Sequence, residues 1–102
     1  MRWMMKVELS EQVIAFVKRQ APVPRRLLRA ALRRLTLEQG DIKSMEGPLS
    51  GYYRLRVHGY RVIFAYESSL KTARRIKCIF AERRHVIYEV FAEMLRDRLL
   101  GK

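Results

Sequence analysis

One cysteine, Cys78, and two distant histidines, His58 and His85, leave neither an intramolecular disulfide nor the ligand spacing of a zinc site. No metal and no cofactor is therefore expected. Long hydrophobic runs are also missing. No stretch approaches the roughly twenty apolar residues that span a bilayer. The opening Met1-Arg2-Trp3-Met4-Met5 meets Lys6 and Glu8 before a signal-peptide core could form. The expectation is a cytoplasmic protein with no membrane partner. There is no low-complexity tract and no repeat unit, and the few glycines and prolines sit as punctuation between periodic segments.

Acidic residues are scarce. Ten Asp and Glu face 22 Lys and Arg, a formal charge of +12 on 102 residues, so the natural partner is a polyanion or an acidic protein. Most of the cations are arginines, whose planar fork suits phosphate oxygens better than an ammonium does. A hydrophobic content of 49% is enough to build one core, and residues 1–102 read as one domain.

Trp3 to Leu9 reads as a strand, and Ser10 as the N-cap of a helix running to about Gln20, with Val13, Phe16 and Val17 facing inward. Pro22 and Pro24 open a second helix with Leu28, Ala31, Leu32 and Leu35 in one stripe. Arg25, Arg26, Arg29, Arg33 and Arg34 take the remaining positions, a solvated or partner-facing surface. Gly40, Gly47, Pro48 and Gly51 mark a loop. From Tyr52 to Tyr66 the period changes to two, and His58-Gly59 supplies a hairpin turn that sets Val57 opposite Tyr60 and Arg56 opposite Arg61. A further strand, Arg75 to Ala81, turns Ile76, Cys78 and Phe80 inward and Arg75, Lys77 and Ile79 outward. The last helix, about Val86 to Leu100, buries Ile87, Phe91, Met94 and Leu95 or a similar stripe. The class is α+β: an antiparallel sheet of about four strands, an N-terminal helical hairpin and a C-terminal helix.

One sheet face then carries Tyr52, Arg54, Arg56, His58 and Arg61, with Lys77 on the neighbouring strand and Arg83 and Arg84 arriving from its end. Like charges set opposite one another on a sheet are destabilising, so such a cluster points to an anion whose binding offsets the cost. Tyr52 and Tyr88 flank the cluster and could stack on bases, the usual complement of phosphate contacts in single-strand recognition. Glu82 is the one acid expected on this face, which disfavours a carboxylate-held metal. His85 and His58 read as loop and turn residues, and Cys78 as a small buried hydrophobe.

The run Gly51-Tyr52-Tyr53-Arg54-Leu55-Arg56-Val57-His58-Gly59-Tyr60-Arg61-Val62-Ile63-Phe64 resembles the central hairpin of the RelE/ParE toxin superfamily. The likeness extends to Asp41-Ile42-Lys43 before it and Glu82-Arg83-Arg84-His85-Val86-Ile87-Tyr88 after it. It implies a small RelE-like fold and the toxin of a type II toxin–antitoxin pair, with an acidic antitoxin as partner. RelE-like members cut mRNA on the ribosome, whereas ParE-like members inhibit DNA gyrase without catalysis. On the RelE reading, Arg61 matches the arginine at the scissile phosphate. Tyr88 matches a tyrosine that stacks on the substrate or helps to deprotonate it, and Arg83 or Arg84 matches the basic residue at the leaving group. Arg54 and Arg56 stand where catalytic members often carry lysines. As permanent cations they would bind substrate and stabilise charge rather than accept protons. Tyr52 and Lys77 would add substrate contacts. A plain nucleic-acid-binding module is the third reading that composition allows.

Overall fold

The computed structural model describes residues 4–68 and 74–101. Strand β1 (Lys6–Leu9) leads into helix α1 (Glu11–Arg19). Trp3, where the sequence reading starts this strand, lies outside the described residues. Ser10 caps α1: its Oγ accepts the N–H of Val13 (3.2 Å) and its hydroxyl donates to the carbonyl of Ile79 (2.7 Å). Helix α2 (Pro22–Leu35) opens with prolines in its first turn, where a missing N–H leaves no bond unmade. The stripes Val13, Phe16, Val17 and Leu28, Ala31, Leu32, Leu35 are buried as their spacing implies.

Strands β2 (Asp41–Ser44), β3 (Tyr53–Val57), β4 (Tyr60–Glu67) and β5 (Arg75–Arg83) complete one mixed sheet in the order β1-β5-β4-β3-β2. Only the β1–β5 pair is parallel. Helix α3 (Ile87–Leu99) follows. The sheet thus has five strands rather than about four, and it is mixed rather than antiparallel throughout. The additional strand is β2, four residues between Gly40 and Gly47 that are too few for a period-two signal to stand out. The hairpin register agrees with the reading, with Val57 opposite Tyr60 and Arg56 opposite Arg61. His58, at φ +53°, takes the left-handed position of the turn.

Two cores flank the sheet. On one face, α1 and α2 cover Leu55, Val57, Val62, Phe64, Ile76, Cys78 and Ala81. On the other, α3 lays Ile87 and Phe91 over Ile63 and Phe80, with Tyr52, Ile79 and Met94 at the margin. Burial pushes the Cys78 thiol up to about 12, so it stays protonated and serves only as packing.

A bulge divides β5. Ile63 pairs with Phe80, but its neighbour Phe64 pairs with Cys78, leaving Ile79 as the extra residue. Ile79 and Phe80 therefore both lie on the α3 side, correcting the alternation that turned Phe80 inward with Ile76 and Cys78. Every side chain beyond it changes face relative to simple alternation. Where β1 has ended, Gln12 continues the ladder with its side chain. Its amide nitrogen donates to the Ala81 carbonyl (2.7 Å) and its amide oxygen accepts the Ala81 N–H (2.8 Å).

Gly40 enters β2 at φ +135°, and a Cβ there would stand 2.8 Å from Leu55 Cδ1, a fully packed side chain. Gly40→Ala combines backbone strain with overpacking and is expected to destabilise by roughly 1–3 kcal/mol. A urea midpoint unchanged from the parent chain would contradict this. Among the described residues, no helix is long and apolar enough to cross a membrane.

Candidate functional site

Arg61 is the one charged residue in the buried class among the described residues, with 8% of its surface exposed. The turn beside it explains how it is held. Its Nη1 donates to the carbonyls of His58 (2.8 Å) and Tyr60 (2.9 Å), so neutral oxygens fix the guanidinium and leave its charge uncompensated. The left-handed His58 belongs to this arrangement, since its carbonyl is one of the two acceptors. The same turn fixes the exit of β5, where the N–H of Arg84 donates to the Gly59 carbonyl (2.9 Å).

Burial and the neighbouring Arg54 guanidinium lower the pKa of Arg61 from the usual arginine value, with Arg56 and Arg84 acting in the same direction and Tyr88 against them. Three arginines and one tyrosine are thus the neighbours that act most strongly on Arg61. Arg54 and Arg56 reach it along β3, Arg84 from the turn after β5, and Tyr88 from the first turn of α3. Tyr88 is 43% exposed, so its ring is available to a bound molecule. A cleft of about 380 Å³ opens next to it, lined by Lys43, Ser44, Met45, Glu46, Leu49, Arg54 and Tyr88.

The bulge sorts the remaining candidates. Arg83 pairs with Tyr60, whose ring packs edge-on against Phe16 of α1 at 5.9 Å. Arg83 therefore leaves the sheet on the α1 side, and Arg84 is the member of the pair that joins Arg61. Lys77 pairs with Ala65, four residues along β4 from Arg61, or about 13 Å at the usual strand rise. It lines a separate cleft of about 550 Å³ together with Tyr52, Met94 and Arg98. Tyr52 sits half-buried under α3, edge-on to Phe91 with centroids 5.1 Å apart. The structure thus brings together Arg54, Arg56, Arg61, Arg84 and Tyr88, and it keeps Tyr52, Lys77 and Arg83 apart from them.

Sequence reasoning missed an acid on this face. Asp41 of β2 lies opposite Arg56, with Oδ2 2.6 Å from Arg56 Nε and Oδ1 3.7 Å from Arg54 Nη2. The polar–apolar–polar order of Asp41-Ile42-Lys43 was the available signal, since it sends Asp41 and Lys43 to the basic face and Ile42 to the first core. Glu82 does pair with Arg61 across the strands, but its Oε1 accepts the backbone N–H of Arg83 (2.9 Å). Among the described residues, no group of His, Cys, Asp and Glu is arranged to hold a metal ion.

The architecture is similar to that of the YoeB/ParE toxin from Agrobacterium tumefaciens, with a TM-score of 0.61, 16% identity, and coverage of 78% of this chain and 99% of that one. The RelE-RelB complex from Pyrococcus horikoshii contains a chain matched at TM-score 0.59 and 25% identity, covering 82% and 97%. The RelB-RelE antitoxin-toxin complex from Methanococcus jannaschii contains one matched at 0.58 and 21%, covering 82% and 98%. This is the RelE/ParE toxin fold. No protein-family model and no curated protein sequence matches the chain. Within the RelE/ParE fold, the arginine cluster occupies the hairpin end of the sheet, beside the N-terminal turn of the last helix.

Proposed function

We propose that this chain is the toxin of a toxin–antitoxin pair and that it cuts mRNA on the ribosome. The observation that carries the reading is Arg61, a permanent cation that is buried, held by neutral carbonyls and surrounded by further arginines. Burying an uncompensated charge is costly. The cost is offset when a phosphate enters, and the offset grows as negative charge builds up on it. Attack by a 2′-hydroxyl on the adjacent phosphate does this: the 2′-oxygen bonds to phosphorus while the bond to the 5′-oxygen breaks, leaving a cyclic phosphate and a 5′-hydroxyl. Arg61, Arg54 and Arg56 stabilise the pentacovalent transition state, where fixed donors have their largest effect. Arg84 stabilises charge on the leaving oxygen, which takes a proton from water to become the 5′-hydroxyl. Tyr88 supplies a stacking surface or, in its phenolate form, accepts the 2′-hydroxyl proton.

The partner is an acidic antitoxin in the cytoplasm, which would cover the basic face or displace α3. Two of the fold's relatives are themselves chains of RelB-RelE complexes. Arg26, Arg29, Arg33 and Arg34 on α2 are exposed and join no ion pair among the described residues, so they offer an acidic segment a second cationic surface. Residues 1–102 act as one domain and need neither metal nor cofactor.

Induced expression of the chain alone is expected to arrest growth, with amino-acid incorporation falling before DNA synthesis. The reverse order, with signs of gyrase poisoning, would replace this reading by the ParE-like one.

A further inference from the structure

The arginines of the cluster fall into two electrostatic classes. Arg61 is held only by neutral carbonyls. Arg54 and Arg56 share one carboxylate, since Asp41 bridges them at 3.7 and 2.6 Å. Asp41 comes from the short edge strand β2 and is half-exposed, so solvent and solutes reach the bridge. The cleft on the same side is lined by Lys43 and Arg54 and opens toward Tyr88.

We infer that Asp41 is a resident competing anion, which occupies Arg54 and Arg56 in the free protein and gives them up to a phosphate of the bound nucleic acid. This inference rests on the proposed RNA-cutting function, and it assigns to Asp41 a positioning and selectivity role rather than a catalytic one. Both halves of the role follow from the geometry. With no substrate bound, the carboxylate holds two like-charged side chains at neighbouring positions of one strand and relieves their repulsion. When a polyanion arrives, it must displace a carboxylate from Arg56 but has nothing to displace at Arg61. A single small anion is then held chiefly at Arg61, where the charge is uncompensated. A strand with several phosphates gains Arg54 and Arg56 as well. The Asp41–Arg56 pair, half-exposed on both sides, is weak enough to open because water and salt screen it, and the contact to the more covered Arg54 is already long at 3.7 Å. Asp41 thus makes the site discriminate between lone anions and a chain of phosphates.

The test uses the full chain and a short single-stranded RNA whose 2′-hydroxyls are methylated, so that binding is read without cleavage. Asp41→Asn should keep the side-chain shape and tighten binding about fivefold at low salt, the order of effect of losing one exposed competing charge. Its log–log salt slope should steepen by about 0.7, corresponding to one more phosphate neutralised on a single strand. Inorganic phosphate, which gains Arg54 and Arg56 once the competitor is gone, should lose part of its disadvantage as an inhibitor of this binding. Asp41→Glu should bind as the parent chain does. A merely structural Asp41 would lower the thermal midpoint of Asp41→Asn without tightening RNA binding, and that result overturns the inference while leaving the RNA reading intact. Absence of salt-sensitive binding by the parent and by both variants overturns the inference, whereas the RNA reading falls only if cleavage of mRNA on ribosomes is absent as well.

Discussion

Replacing Arg61 by alanine should lower the single-turnover rate of mRNA cleavage on ribosomes by about a hundredfold or more, the typical loss when one preorganised donor to a transition state is removed. Arg29→Ala, on the outer face of α2, should weaken salt-dependent binding slightly and leave that rate nearly unchanged. The contrast matters because both residues are arginines on a chain of formal charge +12, where any cation adds some affinity. Arg61 differs in being buried and tethered to the turn through the His58 and Tyr60 carbonyls. Arg61→Lys would keep the charge but lose the planar fork, so it should recover only part of the rate. Tyr88→Phe separates the two roles of that ring, since stacking survives loss of the hydroxyl and proton acceptance does not. Equal, small losses for Arg61→Ala and Arg29→Ala would reduce the sheet face to one more basic patch.

The second large effect is expected at Phe91. Helix α3 buries only Ile87 and Phe91, and Phe91 packs on Tyr52 and Phe80 with centroid separations of 5.1 and 6.2 Å. Truncating a fully buried phenylalanine removes transfer energy and leaves a cavity, so Phe91→Ala should cost about 3–5 kcal/mol in urea unfolding. Because Tyr88 lies one turn before Phe91 on the same helix, the variant should also lose cleavage activity under conditions where it remains folded. A loss below about 1 kcal/mol would mean that α3 does not share the cooperative core.

Where the sequence was legible, a local rule governed the structure. The His58-Gly59 turn determined the pairing of Arg56 with Arg61, and helical spacing identified Val13, Phe16, Leu28 and Leu32 as core. The failures are equally local. Strand β2 offers only one polar–apolar–polar alternation, too brief to stand out, so Asp41 stayed hidden as the counter-ion of Arg54 and Arg56. The bulge at Ile79 left no mark, because Ile79 and Phe80 are both apolar and either could have faced either core. Simple alternation from Lys77 puts Arg83 on the basic face; the inserted residue turns it toward α1 and leaves Arg84 beside Arg61. Tyr52 looked like a stacking platform because it precedes the arginine strand, but the apolar demand of α3 holds it against Phe91.

The parallel pairing of β1 with β5 has a bearing on when the arginine cluster is assembled. Lys6 lies opposite Arg75 and Leu9 opposite Cys78, so the strand made first must wait for one of the last before either is paired on that edge. Gln12 likewise finds its backbone partner only at Ala81. Contacts of such sequence separation form late, after the loop between them has been closed. During synthesis, the hairpin carrying Arg54, Arg56 and Arg61 can form early from local contacts, whereas β5, Arg84 and the helix bearing Tyr88 emerge afterwards. The order of emergence therefore places completion of the arginine cluster after β5 and the first turn of α3 have been made.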